Sequence, residues 1–152
     1  MLFRSRNEQD HLLVVHFDVS SITLSIFVNH VPVFMRTVAF PQDMKVWEVS
    51  LTNTQLEWAG DIVQFNVFLE DFIVEVERIM NFFRYSLNQG NEEINRVLLH
   101  GDHPNFPLIL SKLREKISVK VDTFEQDVYT QDQETVDPKY YYPLGLALKE
   151  VQ

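Results

Sequence analysis

The sequence predicts an α/β fold in which a long helix packs on a mixed five-stranded sheet. Three observations lead there. Residues 12–40 hold three successive runs rich in β-branched and aromatic residues. Asp61–Asn88 carries an apolar stripe at helical spacing over its whole length. Then a short apolar run, an amphipathic stretch and a last β-like run come in turn.

Met1–His11 is polar and mixed in charge and reads as a lead-in or linker, so the predicted domain spans 12–152. Leu12–Asp18 (LLVVHFD) is short, apolar and β-branched, which fits a buried strand. In Ser21–Val28, Ile22, Leu24, Ile26 and Val28 alternate with Thr23 and Ser25, the period of a strand with one buried face. Asn29-His30 suits a tight turn, and Val31–Phe40 gives a third strand, with Pro32 near its start where a missing N–H is tolerated. Two consecutive hairpins result. Pro41–Gly60 is the least readable stretch; Val46–Leu51 fits a strand and Thr52–Thr54 a turn.

In Asp61–Asn88, Ile62, Phe65, Leu69, Phe72, Val76, Ile79 and Phe83 recur at steps of three and four and so share one helix face. Val63, Phe68, Ile73, Met80 and Phe82 widen that face. Asp61 is a suitable N-cap and Gly90 a stop signal. At 1.5 Å per residue such a helix spans about 40 Å, the width of a domain. Asn95–His100 reads as a buried strand and Gly101–Asn105 as a loop. Phe106–Lys116 reads as an amphipathic helix, capped by Asp102 or Asn105, and Ser118–Val121 as a strand. Tyr140–Val151 closes as a helix that starts near Pro143. The order β-β-β-α-β-α-β-α resembles a ribonuclease-H-like layer.

Composition narrows the function. The chain has 152 residues and no cysteine, which removes disulfides, thiol catalysis and Cys-ligated metal. The net charge is −9 and no Lys/Arg cluster forms a basic face, so nucleic acid and anionic lipid are poor partners. No apolar run reaches the length of a membrane span, and the N-terminal residues are too polar for a signal peptide, so a cytoplasmic location with no direct membrane insertion is expected. Glu125–Asp137, with acids and no base, reads as a solvated loop.

No catalytic set emerges. His100 and His103 flank Asp102, but a metal needs three or four converging ligands, and His11, His16 and His30 lie on other segments. Ser20 and Ser21 near His16 lack a nucleophile elbow. The pairs Glu70-Asp71 and Glu75/Glu77 fit the wet face of a helix. The phenylalanines concentrated on the long helix fit core packing; docking of a partner on that helix, or on Trp47 and Trp58, is the competing reading.

Several stretches also carry a family resemblance: Val15–Val28 (VHFDVSSITLSIFV), Arg84-Tyr85-Ser86, Ile94–Leu99, Leu108–Leu113, Ser118–Val121 and Gly145–Lys149 (GLALK). In this order they resemble PilM, the actin-like cytoplasmic protein of type IV pilus assembly, chiefly its C-terminal half. The cytoplasmic domain of GspL and the division protein FtsA share that fold. The resemblance implies an actin-like subdomain acting as a non-catalytic scaffold or binding module of a pilus or secretion platform at the inner face of the membrane. It implies a PilN-like membrane protein among the partners, or a second copy of the chain on the face where the other half would sit.

The alternative it carries is one half of a nucleotide-binding actin-like ATPase. Asp18, Ser20, Ser21, Gly101 and Asp102 would then line the site, with Mg-ATP as ligand. The phosphate motif is degraded, however. Asp18-Val19-Ser20 stands where the family has Asp-Ile-Gly, and Gly101-Asp102-His103-Pro104 where it has a glycine-rich adenosine loop. No bound cofactor and no metal are therefore expected.

Overall fold

In the computed structural model, which describes residues 10–87, 89–123, 128–129 and 133–136, alternation is what builds the first half. Strands β1 (His11–Phe17), β2 (Ser21–Val28) and β3 (Val31–Ala39) run antiparallel in sequence. Leu13, Val15 and Phe17 of β1 and Ile22, Leu24 and Ile26 of β2 are fully buried on one face. The residues between them on β1, Leu12, Val14 and His16, are half-buried on the other. The Asn29-His30 turn has positive φ at both residues (50° and 70°), the backbone that a two-residue hairpin requires.

Between β3 and the long helix lies a small antiparallel hairpin, β4 (Trp47–Val49) and β5 (Leu56–Trp58). Its first strand falls within the predicted Val46–Leu51 run; its second was not foreseen. Helix α1 (Ile62–Phe82) begins where expected: the Asp61 carboxylate accepts from the Val63 N–H at 2.7 Å and the Gln64 N–H at 3.4 Å. Phe65, Leu69, Phe72, Ile73, Val76 and Ile79 face the sheet and are buried. The regular helix is shorter than the sequence predicts. Phe83–Leu87 forms a π-helical turn, which keeps Phe83 buried against His11, and Gly90 comes after it at φ +81°.

Two parallel strands complete the sheet. β6 (Arg96–Gly101) lies beside β1, and β7 (Lys120–Thr123) beside β6, joined through α2 (Phe106–Lys116). The order is β3-β2-β1-β6-β7, a mixed five-stranded sheet, as predicted. The core is closed by Val97 and Leu99 from β6, Ile109 and Leu113 from α2, and the buried face of α1.

Two expectations are corrected. His11 is not part of a lead-in; it opens β1, is 4% exposed, and its Nε2 lies 3.0 Å from Glu92 Oε2. The last strand of the sheet is Lys120–Thr123 rather than Ser118–Val121, because Ile117–Val119 turns out of α2. Within the acidic stretch, β8 (Val128–Tyr129) pairs antiparallel with β9 (Thr135–Val136). The predicted closing helix at Tyr140–Val151 lies outside the described residues, as do Met1–Gln9 of the predicted lead-in. No helix among the described residues is long and apolar enough to cross a membrane.

Candidate functional site

Parallel strands end together, and in open α/β sheets ligands sit beyond their carboxyl ends. Here β1 ends at Phe17 and β6 at Gly101, paired in register. The segments leaving them are Asp18–Ser21 and Asp102–Asn105. The fold therefore places all five candidate residues, Asp18, Ser20, Ser21, Gly101 and Asp102, at the same end of the sheet.

Local hydrogen bonding accounts for much of their arrangement. The Asp18 N–H donates to the Ser21 carbonyl at 2.9 Å and closes the β1–β2 turn. The Asp18 carboxylate accepts from the Val19 N–H at 2.7 Å. The Ser20 carbonyl accepts from the Phe40 N–H at 3.0 Å, which ties this turn to the end of β3. Ser20 and Asp102 are exposed, while Asp18, Ser21 and Gly101 are half-buried. Gly101 has φ +145°, and a β-carbon there would lie 2.0 Å from the Phe17 carbonyl oxygen. The same carbonyl accepts from the Asp102 N–H at 3.3 Å. Only glycine fits where two strand ends approach so closely.

Histidines surround this end. His16 and His100 are ladder partners with ring centroids 4.8 Å apart. Burial, then the neighbouring His16, lowers the His100 pKa to about 4 against an opposing pull from Asp102.

His103 is the residue whose place sequence reasoning missed. Read as part of a polar loop, it is instead 3% exposed. Its ring lies among Phe40, Trp47, Trp58 and Phe65, with centroids 5.5, 5.6, 6.3 and 5.2 Å away. Its Nδ1 accepts from the Asn105 N–H at 3.1 Å, so the ring is neutral at that nitrogen. Burial lowers its pKa to about 4, with Asp102 opposing. Asn105 holds the N-cap position of α2, but its side chain makes no cap bond; the imidazole takes that part for the Asn105 N–H itself. Trp58 is pinned in turn, its Nε1–H donating to the Met44 carbonyl at 2.8 Å. The two tryptophans do not form an open docking surface: they are half-buried and pack on His103.

Chemically, this end offers exposed hydroxyl and carboxylate groups above a rigid, aromatic-packed loop. Among the described residues, no group of three or more His, Asp or Glu side chains is placed to hold a metal ion. A second concavity lies at the other end of α1. Glu77, Met80, Asn81, Arg84, Glu93 and Ile94 are among the residues bounding this cleft of about 370 Å³.

No family model and no curated protein matches this sequence. Among solved structures the chain is similar to one from a PilM-PilN type IV pilus biogenesis complex, with a TM-score of 0.58 and 16% sequence identity. The match covers 92% of this chain and 46% of that one, so the chain spans about half the length of its structural neighbour. At that identity the likeness is one of fold: this chain has a PilM-like mixed α/β fold.

Proposed function

We propose that the chain is an actin-like, ribonuclease-H-like subdomain that works as a non-catalytic binding module of a type IV pilus or related secretion platform. The observation that carries this reading is the match of nearly the whole chain to one chain of a PilM-PilN complex. The sheet order β3-β2-β1-β6-β7, antiparallel in one half and parallel in the other, supports the fold assignment. The module would act on the cytoplasmic side of the membrane, with a PilN-like membrane protein as partner and no chemistry of its own.

The candidate site favours binding over catalysis. The Asp18 carboxylate is engaged by the Val19 N–H, and the left-handed backbone at Gly101 serves a close approach to Phe17. Both are structural duties that a phosphate cradle would have to displace. Asp102 adds negative charge beside them in a chain of net charge −9, which disfavours a polyphosphate.

One observation favours a nucleotide-binding half instead: Asp18, Ser20, Ser21, Gly101 and Asp102 do gather at the carboxyl ends of parallel strands. Calorimetric titration separates the readings. The scaffold reading expects no heat with Mg-ATP from the folded chain, and saturable binding to a PilN-like cytoplasmic tail. Mg-ATP binding that Asp18→Ala abolishes would overturn it.

A further inference from the structure

We infer that the tip of the β4–β5 hairpin is a docking knob for another protein, one that offers an apolar pocket rimmed by lysine or arginine. The inference does not rest on the pilus reading.

The hairpin carries its apolar face beyond the core. Trp47 pairs with Trp58 across it, and both pack on His103. Two residues further out, Val49 pairs with Leu56 on the same face of the ladder. These two are 63% and 50% exposed, and Leu51, in the turn beyond, is 102% exposed. Residues 49–56 (VSLTNTQL) include no charged side chain. A lone surface leucine needs no explanation, but three large aliphatic side chains gathered at one uncharged tip do.

The tip is also stiff. The Ser50 N–H donates to the Gln55 carbonyl at 2.8 Å, the Thr54 N–H to the Ser50 carbonyl at 3.0 Å, and the Gln55 N–H to the Asn53 side-chain oxygen at 3.1 Å. The Ser50 and Thr52 hydroxyls share a hydrogen bond of 3.0 Å. These bonds hold Thr54 at φ +54°, a backbone that a β-branched residue resists. A loop already set in one shape loses little freedom on binding.

Charge identifies the occupant. Glu48 and Glu57 face each other across the hairpin, on the side away from the tryptophans, and both are exposed. Among the described residues neither joins an ion pair. Like charges directly opposite weaken a ladder, so this pair costs the hairpin stability and gains from a cation brought by a partner. Residues 41–61 hold Asp43, Glu48, Glu57 and Asp61 against Lys45 alone. Anionic lipid, nucleic acid and a second copy of this chain, with its net charge of −9, would each meet these acids with like charge. A basic protein surface meets them with the opposite one.

Site-specific photo-cross-linking in the cells that make the protein tests this. A benzophenone amino acid replaces Leu51 or, as control, Val63, exposed on α1, and mass spectrometry identifies what is linked. Position 51 is expected to join the chain to a different protein, at a peptide where apolar residues lie beside lysine or arginine. Position 63 is expected not to give that product. Glu48→Lys with Glu57→Lys keeps the repulsion across the hairpin and inverts the sign offered to the partner. Circular dichroism should show the fold unchanged while the yield from position 51 drops on the order of tenfold. Leu56→Ser, which leaves the charges alone, should lower the yield as well. Links only to lipid, to a second copy or to an acidic peptide overturn the inference, as does the absence of any product from position 51. A yield that survives the paired charge reversal overturns it too.

Discussion

The imidazole of His103 lies face to face with the ring of Phe65, their centroids 5.2 Å apart and their planes 15° apart. Phe65 belongs to the first turns of α1 and His103 to the loop entering α2. This stack, with Trp47 and Trp58 closing round it, joins both helices to the β4–β5 hairpin. The arrangement suits a neutral ring, because an imidazolium among these side chains would be stripped of water.

The first prediction concerns acid. In the folded chain the pKa values of His100 and His103 are lowered to about 4 from an ordinary 6.5. Above 6.5 both states hold these rings neutral, and the full stability is present. As the pH falls from 6.5 toward 4 the unfolded chain takes up protons first, so stability is lost across that window. Urea denaturation at a series of pH values should show this decline. His103→Phe should remove its share of the decline and leave that of His100, while costing about 1 kcal/mol at neutral pH through the unpaired Asn105 N–H.

Gly101→Ala should destabilise the chain by roughly 3 kcal/mol, since the β-carbon meets Phe17 backbone and the backbone conformation is one that alanine resists. Chemical denaturation measures it. A loss under about 1 kcal/mol would mean the strand ends separate easily and that the close approach is not structural.

Phe17→Ala should cost about 3–5 kcal/mol. The ring is fully buried between Phe72, edge-on at 5.3 Å, and Phe40 at 6.3 Å, aromatic neighbours too stiff to collapse into the gap. The same denaturation series reads it.

Two charged positions should differ from each other. Asp61→Ala removes the cap of α1 and should cost about 1 kcal/mol. Glu75→Gln breaks the pairs with Arg36 and Arg78 but should cost less than about 1 kcal/mol, because both arginines reach well into solvent. Melting temperatures measured side by side would rank them.

Much of the scaffold was legible in the sequence because period and face coincide. Ile22, Leu24 and Ile26 alternate because one side of β2 packs into the core while Thr23 and Ser25 face the other, and Phe65, Leu69, Phe72 and Val76 recur at helical steps because one side of α1 is buried. Phe106–Lys116 was readable to the residue for the same reason. Leu56–Trp58 escaped notice because three residues carry no period; the strand exists only by pairing Val49 with Leu56 and Trp47 with Trp58. His11 looked like lead-in because its polar neighbours outweigh one ring, and only Phe83 and Glu92, far along the chain, reveal it as core. His103 was the largest miss. Its surroundings come from four separate segments, so no local pattern could announce them.

The cage round His103 gives the protein a built-in optical reporter. Its two tryptophans are the only ones in the sequence, and both border this ring. Emission excited selectively from tryptophan therefore comes from a single location in the folded chain, while circular dichroism averages over the helices and sheet. Loosening of the β4–β5 hairpin, or arrival of charge on the imidazole, would change the emission before the helices melt. A ligand bound at the nearby strand ends could be followed in the same way, without a label.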